Sequence, residues 1–192
     1  MQEIFIISLY SYILGSLPFG LLLTKTFLNH DIRTSGSGNI GATNVLRYGN
    51  KVLGLLTLIL DGLKGYIAVI ITFKYYQDYF ILSALITFIG HLFPIWLKFK
   101  GGKGVATYLG ILFAINIFLP IVFISIWILI ILITKYASIA SLTSSFAVLV
   151  TNLFWKGFDQ SFILFIFFIL ILYRHKTNIG RLKAGTENKI NL

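Results

Sequence analysis

The sequence predicts an all-α polytopic membrane protein, and three observations carry that expectation. Of its 192 residues, 57% are hydrophobic and 11% charged, where soluble domains run at roughly 45–50% and about 25%. The apolar residues gather into long uncharged runs of membrane-crossing length. The 16 Lys and Arg outnumber the 6 Asp and Glu to give a net charge of +10, so the few charges are mainly cations suited to lipid head groups, nucleic acid or phosphorylated metabolites. The chain holds no cysteine, which excludes disulfides, thiol catalysis and Cys-ligated metal. His30, His91 and His175 are scattered without metal-ligand spacing, so neither a metal nor another cofactor is expected.

Taken in order, the elements follow from the need for roughly 20 mainly apolar residues per crossing. Residues 4–24 form the first candidate span. Met1, Gln2 and Glu3 supply no basic region and no small-x-small site follows, so a retained helix is expected rather than a cleaved signal. Residues 52–73 form the second, interrupted by Asp61 and Lys64; three apart on one helix, these two are expected to pair structurally. Residues 79–97 form the third, with His91 near its end read as a residue that bonds neighbouring backbone and Trp96 as an interfacial anchor. From 104 to 134 there is no charge, and at about 1.5 Å per residue a single helix would overshoot the bilayer by roughly half. Asn116 and Pro120 offer a break. Residues 137–154 and 161–173 complete the set, with Trp155 at a membrane edge.

The number of crossings between 104 and 134 fixes the orientation of the tail. With two crossings, 13 of the 16 cations fall on one side: Lys25, Arg33, Arg47, Lys51, Lys98, Lys100, Lys103, Lys135, Arg174, Lys176, Arg181, Lys183 and Lys189. With one crossing, the tail's five cations would be exported. The positive-inside rule therefore predicts about seven spans in a single domain over 1–192, amino terminus outside and carboxyl terminus cytoplasmic, with a re-entrant pair at 104–134 as the variant. Three polar segments, 29–51, 98–107 and 174–192, then share the cytoplasmic side. One active surface facing the cytoplasm is implied.

The first segment, Ser35-Gly36-Ser37-Gly38-Asn39-Ile40-Gly41-Ala42-Thr43-Asn44-Val45-Leu46-Arg47, is dense in small residues, hydroxyls and amides. Glycine lets backbone N–H groups approach an anion, Ser37 and Thr43 donate hydroxyl hydrogen bonds, and Arg47 can hold phosphate through two parallel bonds. A flexible linker is the alternative for so Gly/Ser-rich a stretch; Asn39, Asn44 and Arg47 favour a site. In the second segment, Lys98-Phe99-Lys100-Gly101-Gly102-Lys103-Gly104-Val105-Ala106-Thr107, glycines and lysines precede an apolar helix whose N-terminus attracts anions. It is not a nucleotide-binding P-loop, because Gly104 stands where Ser or Thr is needed and Leu97 where the first glycine belongs. Lys98 and Lys100 read as membrane-flanking cations, and Lys103, enclosed by glycines, as a phosphate ligand. In the third segment, His175 is an acid, a base or a hydrogen-bonding group. Asn178 would share its face on a continuing helix. Glu187, the acidic group among the tail's cations, reads as an ion-pair partner that holds the tail folded.

Together the segments resemble the bacterial acyl-phosphate:glycerol-3-phosphate acyltransferase family, the integral membrane PlsY enzymes. The family's first motif matches Gly36-Ser37-Gly38-Asn39 through Gly41-Ala42-Thr43-Asn44 to Arg47. Its second matches Gly90-His91 and then Phe99-Lys100-Gly101-Gly102-Lys103-Gly104-Val105-Ala106-Thr107. Its third matches Arg174-His175, Asn178-Ile179, Arg181-Leu182 and Gly185-Thr186-Glu187. Leu17-Pro18-Phe19-Gly20 and Leu60-Asp61-Gly62-Leu63-Lys64-Gly65 are further family-like elements. Any one motif is weak, but the ordered set over nearly the whole chain is specific.

The resemblance implies a seven-helix enzyme of the bacterial cytoplasmic membrane that moves a fatty acyl group from acyl phosphate to glycerol 3-phosphate. The products would be lysophosphatidic acid and phosphate, and neither acyl-CoA nor acyl carrier protein would be a donor. The His followed five residues later by Asp of the other large class of glycerolipid acyltransferases is missing after all three histidines. Ser37, Arg47, Lys103, His175 and Asn178 would then be the catalytic set, with Gly38, Asn39, Thr43, Asn44, Gly101, Gly102 and Gly104 around the phosphates, in a protein expected to act as a monomer. A transporter or exchanger of phosphorylated solutes is the alternative, but only Asp61 and Lys64 would serve a midplane site. Nucleic-acid binding lacks a soluble domain to present the basic surface.

Overall fold

The structure is a computed structural model that describes residues 1–190. Among the described residues the chain is helical, with ten α-helices and three short 3-10 turns. It divides into two compact units, Met1–Ile115 and the remainder from Asn116.

In the first unit, α1 (Gln2–Ser16) and α2 (Phe19–Leu28) are two limbs of the expected first span, bent by 41°. The sequence reading took 4–24 as one helix; Pro18 interrupts it because proline supplies no N–H and its ring displaces the preceding turn. A short α3 (Ala42–Arg47) leads into the 25-residue α4 (Lys51–Tyr75), which Asn50 starts by accepting the Leu53 N–H at 2.8 Å. α5 (Phe80–Leu92) and α6 (Val105–Ile115) follow. α4 is the hub, against which α1, α2, α3, α5 and α6 all pack. Small residues let backbones approach where no hydrophobic force acts between helices in lipid. A Cβ on Gly15 would overlap the Thr87 backbone of α5, and one on Gly110 the Gly62 carbonyl of α4. Hydroxyls fill the interior in pairs: Ser11 with Ser83 at 2.9 Å, and Tyr10 with Thr72.

In the second unit, α7 (Phe118–Thr134) packs on α8 (Ala137–Lys156), α8 on α9 (Phe158–Arg174), and α9 leads into α10 (Lys176–Lys183). The uncharged run 104–134 is thus two helices, as the expected break required. Asn116 accepts the Phe118 N–H at 2.8 Å, and Pro120 sits in the first turn of α7, where its missing N–H costs nothing. The tail folds back on the junction of α7 and α8: the Ile190 N–H donates to the Lys135 carbonyl at 2.8 Å, and Ile190 is buried with Ile131, Ala137 and Ala140.

By length and apolar composition three helical stretches can cross a bilayer, Lys51–Tyr75, Gln77–Leu97 and Ala137–Lys156, and five can if each bent pair is one span. The 11-residue α6 and 17-residue α7 are shorter apolar helices.

Candidate active site

The 35–47 segment is a shaped loop, not a linker. Asn44, buried in the short α3, ties it together: its side-chain NH2 donates to the carbonyls of Ile32 (3.1 Å), Ser35 (3.0 Å) and Asn39 (2.9 Å). Its side-chain oxygen accepts the Ser37 N–H at 2.9 Å. Gly36 turns through a positive φ of 58°, and a Cβ there would overlap that oxygen. Asn44 is expected among the phosphate ligands, and both ends of its amide are engaged on the loop. Ser37, Thr43 and Arg47 are half-buried on the loop and short helix that this knot holds. Below them Leu21, Ile32, Ile40, Val45 and Leu53 form a small apolar core. His30, which the motif reading passed over, stacks on Tyr48 with ring centroids 4.3 Å apart and its Nε2 lies 2.8 Å from the Ser35 hydroxyl. Asp31 closes the entrance of the loop. The bonds from Arg33, its Nε at 2.9 Å and its guanidinium NH2 at 2.6 Å, hold the Asp31 carboxyl well below the usual carboxylate range.

In the glycine segment, the Gly101 N–H donates to the Leu92 carbonyl and the Gly102 N–H to the His91 carbonyl, both at 3.1 Å. These two donors satisfy the otherwise orphaned end of α5. Gly104, with φ 84°, accepts the Tyr108 N–H at 2.7 Å and starts α6; a Cβ there would overlap the Phe88 ring. Lys103 is left half-buried immediately before the α6 N-terminus. One turn further, a groove of about 460 Å3 runs between α4 and α6, lined by Leu58, Gly62, Tyr66, Ala106, Gly110 and Phe113 among other apolar groups.

In the second unit the chain bends by 56° after α9. His175 leaves helical geometry with φ −94° and ψ 5° before α10 resumes, so Asn178 does not follow it on one continuous helix. His175 is buried, and its Nδ1 lies 2.8 Å from the Ile171 carbonyl. A carbonyl only accepts, so Nδ1 carries a proton, and in the neutral ring Nε2 is the acceptor nitrogen. Asn178 is buried and donates to Glu187 Oε1 at 2.6 Å. The same oxygen receives the Ser138 hydroxyl at 3.1 Å, and Glu187 Oε2 receives Arg181 Nε at 2.8 Å. Burial pushes the Glu187 carboxyl up, but the bonds from Arg181, Asn178 and Ser138 outweigh it and hold the carboxyl below its ordinary value. Ser138 escaped the sequence reading because its partner is 49 residues away and nothing near it in sequence marks the contact.

Among the described residues no cluster of three His, Cys, Asp or Glu could hold a metal ion.

A family model described as glycerol-3-phosphate acyltransferase matches residues 5–185. The chain is 52% identical over 191 residues, covering 100% of both chains, to a glycerol-3-phosphate acyltransferase of Pelagibacter ubique. It is 49% identical over 182 residues to that of Brucella anthropi, covering 94% of this chain and 90% of the relative. Among solved structures it is similar to PlsY (YgiH), an integral membrane glycerol 3-phosphate acyltransferase. The glycerol 3-phosphate form superposes with a TM-score of 0.93 at 35% identity, covering 98% of this chain and 96% of the other. The lysophosphatidic acid form superposes with a TM-score of 0.88 at 36% identity over the same shares.

Proposed function

The chain belongs to the glycerol-3-phosphate acyltransferase family and is an integral membrane enzyme of that activity, and from that premise we propose how its residues carry out the reaction. The exchanger alternative gives way to this assignment. The donor is acyl phosphate, and the product is lysophosphatidic acid. The glycerol hydroxyl oxygen attacks the acyl carbonyl carbon, the ester C–O bond forms, the carbonyl–phosphate C–O bond breaks, and inorganic phosphate leaves.

Lys103 is the residue on which the reading turns: a half-buried cation between glycines, before a helix N-terminus and one turn from an apolar groove. That juxtaposition suits an amphiphile with a phosphate head and a fatty tail. Lys103 holds a substrate phosphate and the groove holds the acyl chain. Ser37 and Arg47, presented by the Asn44 knot together with Gly38, Asn39 and Thr43, hold phosphate oxygens in the same reaction. Asn178 orients the glycerol end, and His175 Nε2 accepts the hydrogen bond of the attacking hydroxyl. A mixed anhydride carries a good leaving group, so positioning and charge stabilisation supply most of the acceleration. The proton passes to a phosphate oxygen of the donor. The protonated Nδ1 of His175 favours one second reading, in which Nε2 takes that proton; His175→Gln would then lose the ascending limb of the pH–rate profile, whereas under the first reading the limb remains and only binding weakens.

The enzyme works as one domain and a monomer with about seven crossings, amino terminus outside and the polar segments cytoplasmic, as the cation count argues. The deciding experiment is phosphate release from palmitoyl phosphate by purified protein in lipid, with and without glycerol 3-phosphate, beside Lys103→Ala. Release that requires the acceptor and falls at least about 100-fold in the variant is expected. Equal turnover of acyl-CoA would overturn the donor assignment, and wild-type release by Lys103→Ala would overturn the site.

A further inference from the structure

Three buried polar groups of the first unit take no part in the reaction as derived. Asp61 and Lys64 on α4 pair at 2.7 Å, with side chains 3% and 2% exposed. Lys64 Nζ also donates at 2.6 Å to the Leu17 carbonyl, beside the proline break between α1 and α2. His91, in the last turn of α5, places Nδ1 3.7 Å from Asp61 Oδ1. At that distance the contact is electrostatic rather than a hydrogen bond. A buried ion pair in an apolar helix adds little net stability over an apolar pair of equal volume, so its presence asks for another reason.

The opposite side of His91 supplies one. A Cβ on Gly102 would overlap His91 Nε2, and a Cβ on Gly101 would overlap the His91 carbonyl. The Gly102 N–H is bonded to that carbonyl, and the Gly101 N–H to the next one along, of Leu92. Lys103 follows directly. The stretch that enters this loop is pinned to α1 as well: the Tyr12 hydroxyl donates to the Phe93 carbonyl at 2.8 Å, and Trp96 Nε1 to the Ser16 carbonyl at 3.1 Å. The glycine loop therefore lies against the Nε2 edge and the carbonyl of one histidine, and the Nδ1 edge of the same imidazole faces the buried carboxylate.

We infer that His91, seated against the Asp61–Lys64 pair, is a positioning residue that fixes the glycine loop and so places Lys103 for the phosphate-bearing substrate. An apolar ring of similar size would fill the space, but the carboxylate would no longer orient it, and the loop above would be free to shift. A displacement of about 1 Å in a positioning group is enough to change rates by up to about 100-fold. The inference rests on the reading that Lys103 holds a substrate phosphate, and the test separates the two.

His91→Phe, Lys103→Arg and the double variant are compared in lipid for KM of each substrate, kcat and thermal midpoint. His91→Phe is expected to raise, about tenfold, the KM of the same substrate that Lys103→Arg affects, with kcat less changed, and the double variant to be no worse than Lys103→Arg. A wild-type KM in folded His91→Phe, or a double variant equal to the product of the two, overturns the inference and leaves the Lys103 reading standing. Wild-type kinetics in Lys103→Arg and in Lys103→Ala overturn both. Should His91→Phe fail to fold, Asp61→Asn with Lys64→Met removes both charges without stranding either; folded protein with a raised KM supports the inference, and a wild-type KM overturns it.

Discussion

Two polar segments of this chain are each held by one buried side chain, and they are held by different physics. Asn44 grips the 35–47 loop with a neutral amide, through three donations and one acceptance that all end on backbone atoms. Glu187 grips the tail with a carboxylate, and its three partners, Ser138, Asn178 and Arg181, are all side chains. A backbone-directed knot has one side chain at its centre, because ordinary substitutions at its partners leave their peptide groups in place; only a proline at Ser37, which removes the N–H, or a side chain at Gly36, which would overlap the Asn44 oxygen, would break it from outside. A side-chain knot can be undone at four residues. The neutral knot is also indifferent to pH over the range in which the charged one is made and lost.

The largest expected effect comes from Asn44→Asp. The new carboxylate keeps the Ser37 N–H but faces three carbonyl oxygens, and three hydrogen bonds are lost inside a buried site. A loss of about 3–4 kcal/mol is expected at roughly 1 kcal/mol per bond with added repulsion. Thermal unfolding in lipid checks the magnitude, and amide exchange at Ser37 checks the location; unchanged exchange there would break the comparison on its neutral side. Glu187→Gln comes next. It keeps the shape but loses the charge and sets an NH2 group against a donor, for about 2 kcal/mol. Faster proteolysis confined to residues beyond Arg174 is the expected signature. Acidification acts on the same group more gently. The Glu187 carboxyl lies below its ordinary value of 4.5 when folded, so its contribution is complete above about pH 4.5 and fades as pH falls through the lowered value. Tail amides should lose protection over that window, whereas in Glu187→Gln, which has no proton left to take up, their already reduced protection should not change with pH there.

The contrast also shows what the sequence made legible. The helical class, the membrane setting and the break near Asn116 and Pro120 were readable because apolar runs, a capping amide and a proline act locally. The bend at Pro18 was equally local, and hydropathy alone masked it. The three motifs were readable as a set, yet the backbone contacts that their polar groups make were not. Asn44, Gly101 and Gly102 carry polar groups of the right kind, and the backbone of the loop or of α5 engages them first. Such competition is decided by three-dimensional neighbours. Ser138 lies beyond any local signal for the same reason, since 49 residues separate it from Glu187.

Ser138→Ala is the smallest and the sharpest of the tests. It removes the longest of the three bonds to Glu187, at 3.1 Å against 2.6 and 2.8 Å, and the freed lone pair stays partly satisfied by Asn178. A cost of about 1 kcal/mol in thermal stability is expected, in line with one hydrogen bond to a charged acceptor that retains another donor. The decisive figure is the cost of the same substitution in a Glu187→Gln background. If the carboxylate is the hub, the two changes remove one shared interaction, and the second costs clearly less than it does alone. Full additivity would mean that Ser138 stabilises α8 independently of the tail. The tail knot would then be a pair with Arg181 and Asn178, closer in kind to the single-residue knot at Asn44 than its bonding pattern suggests.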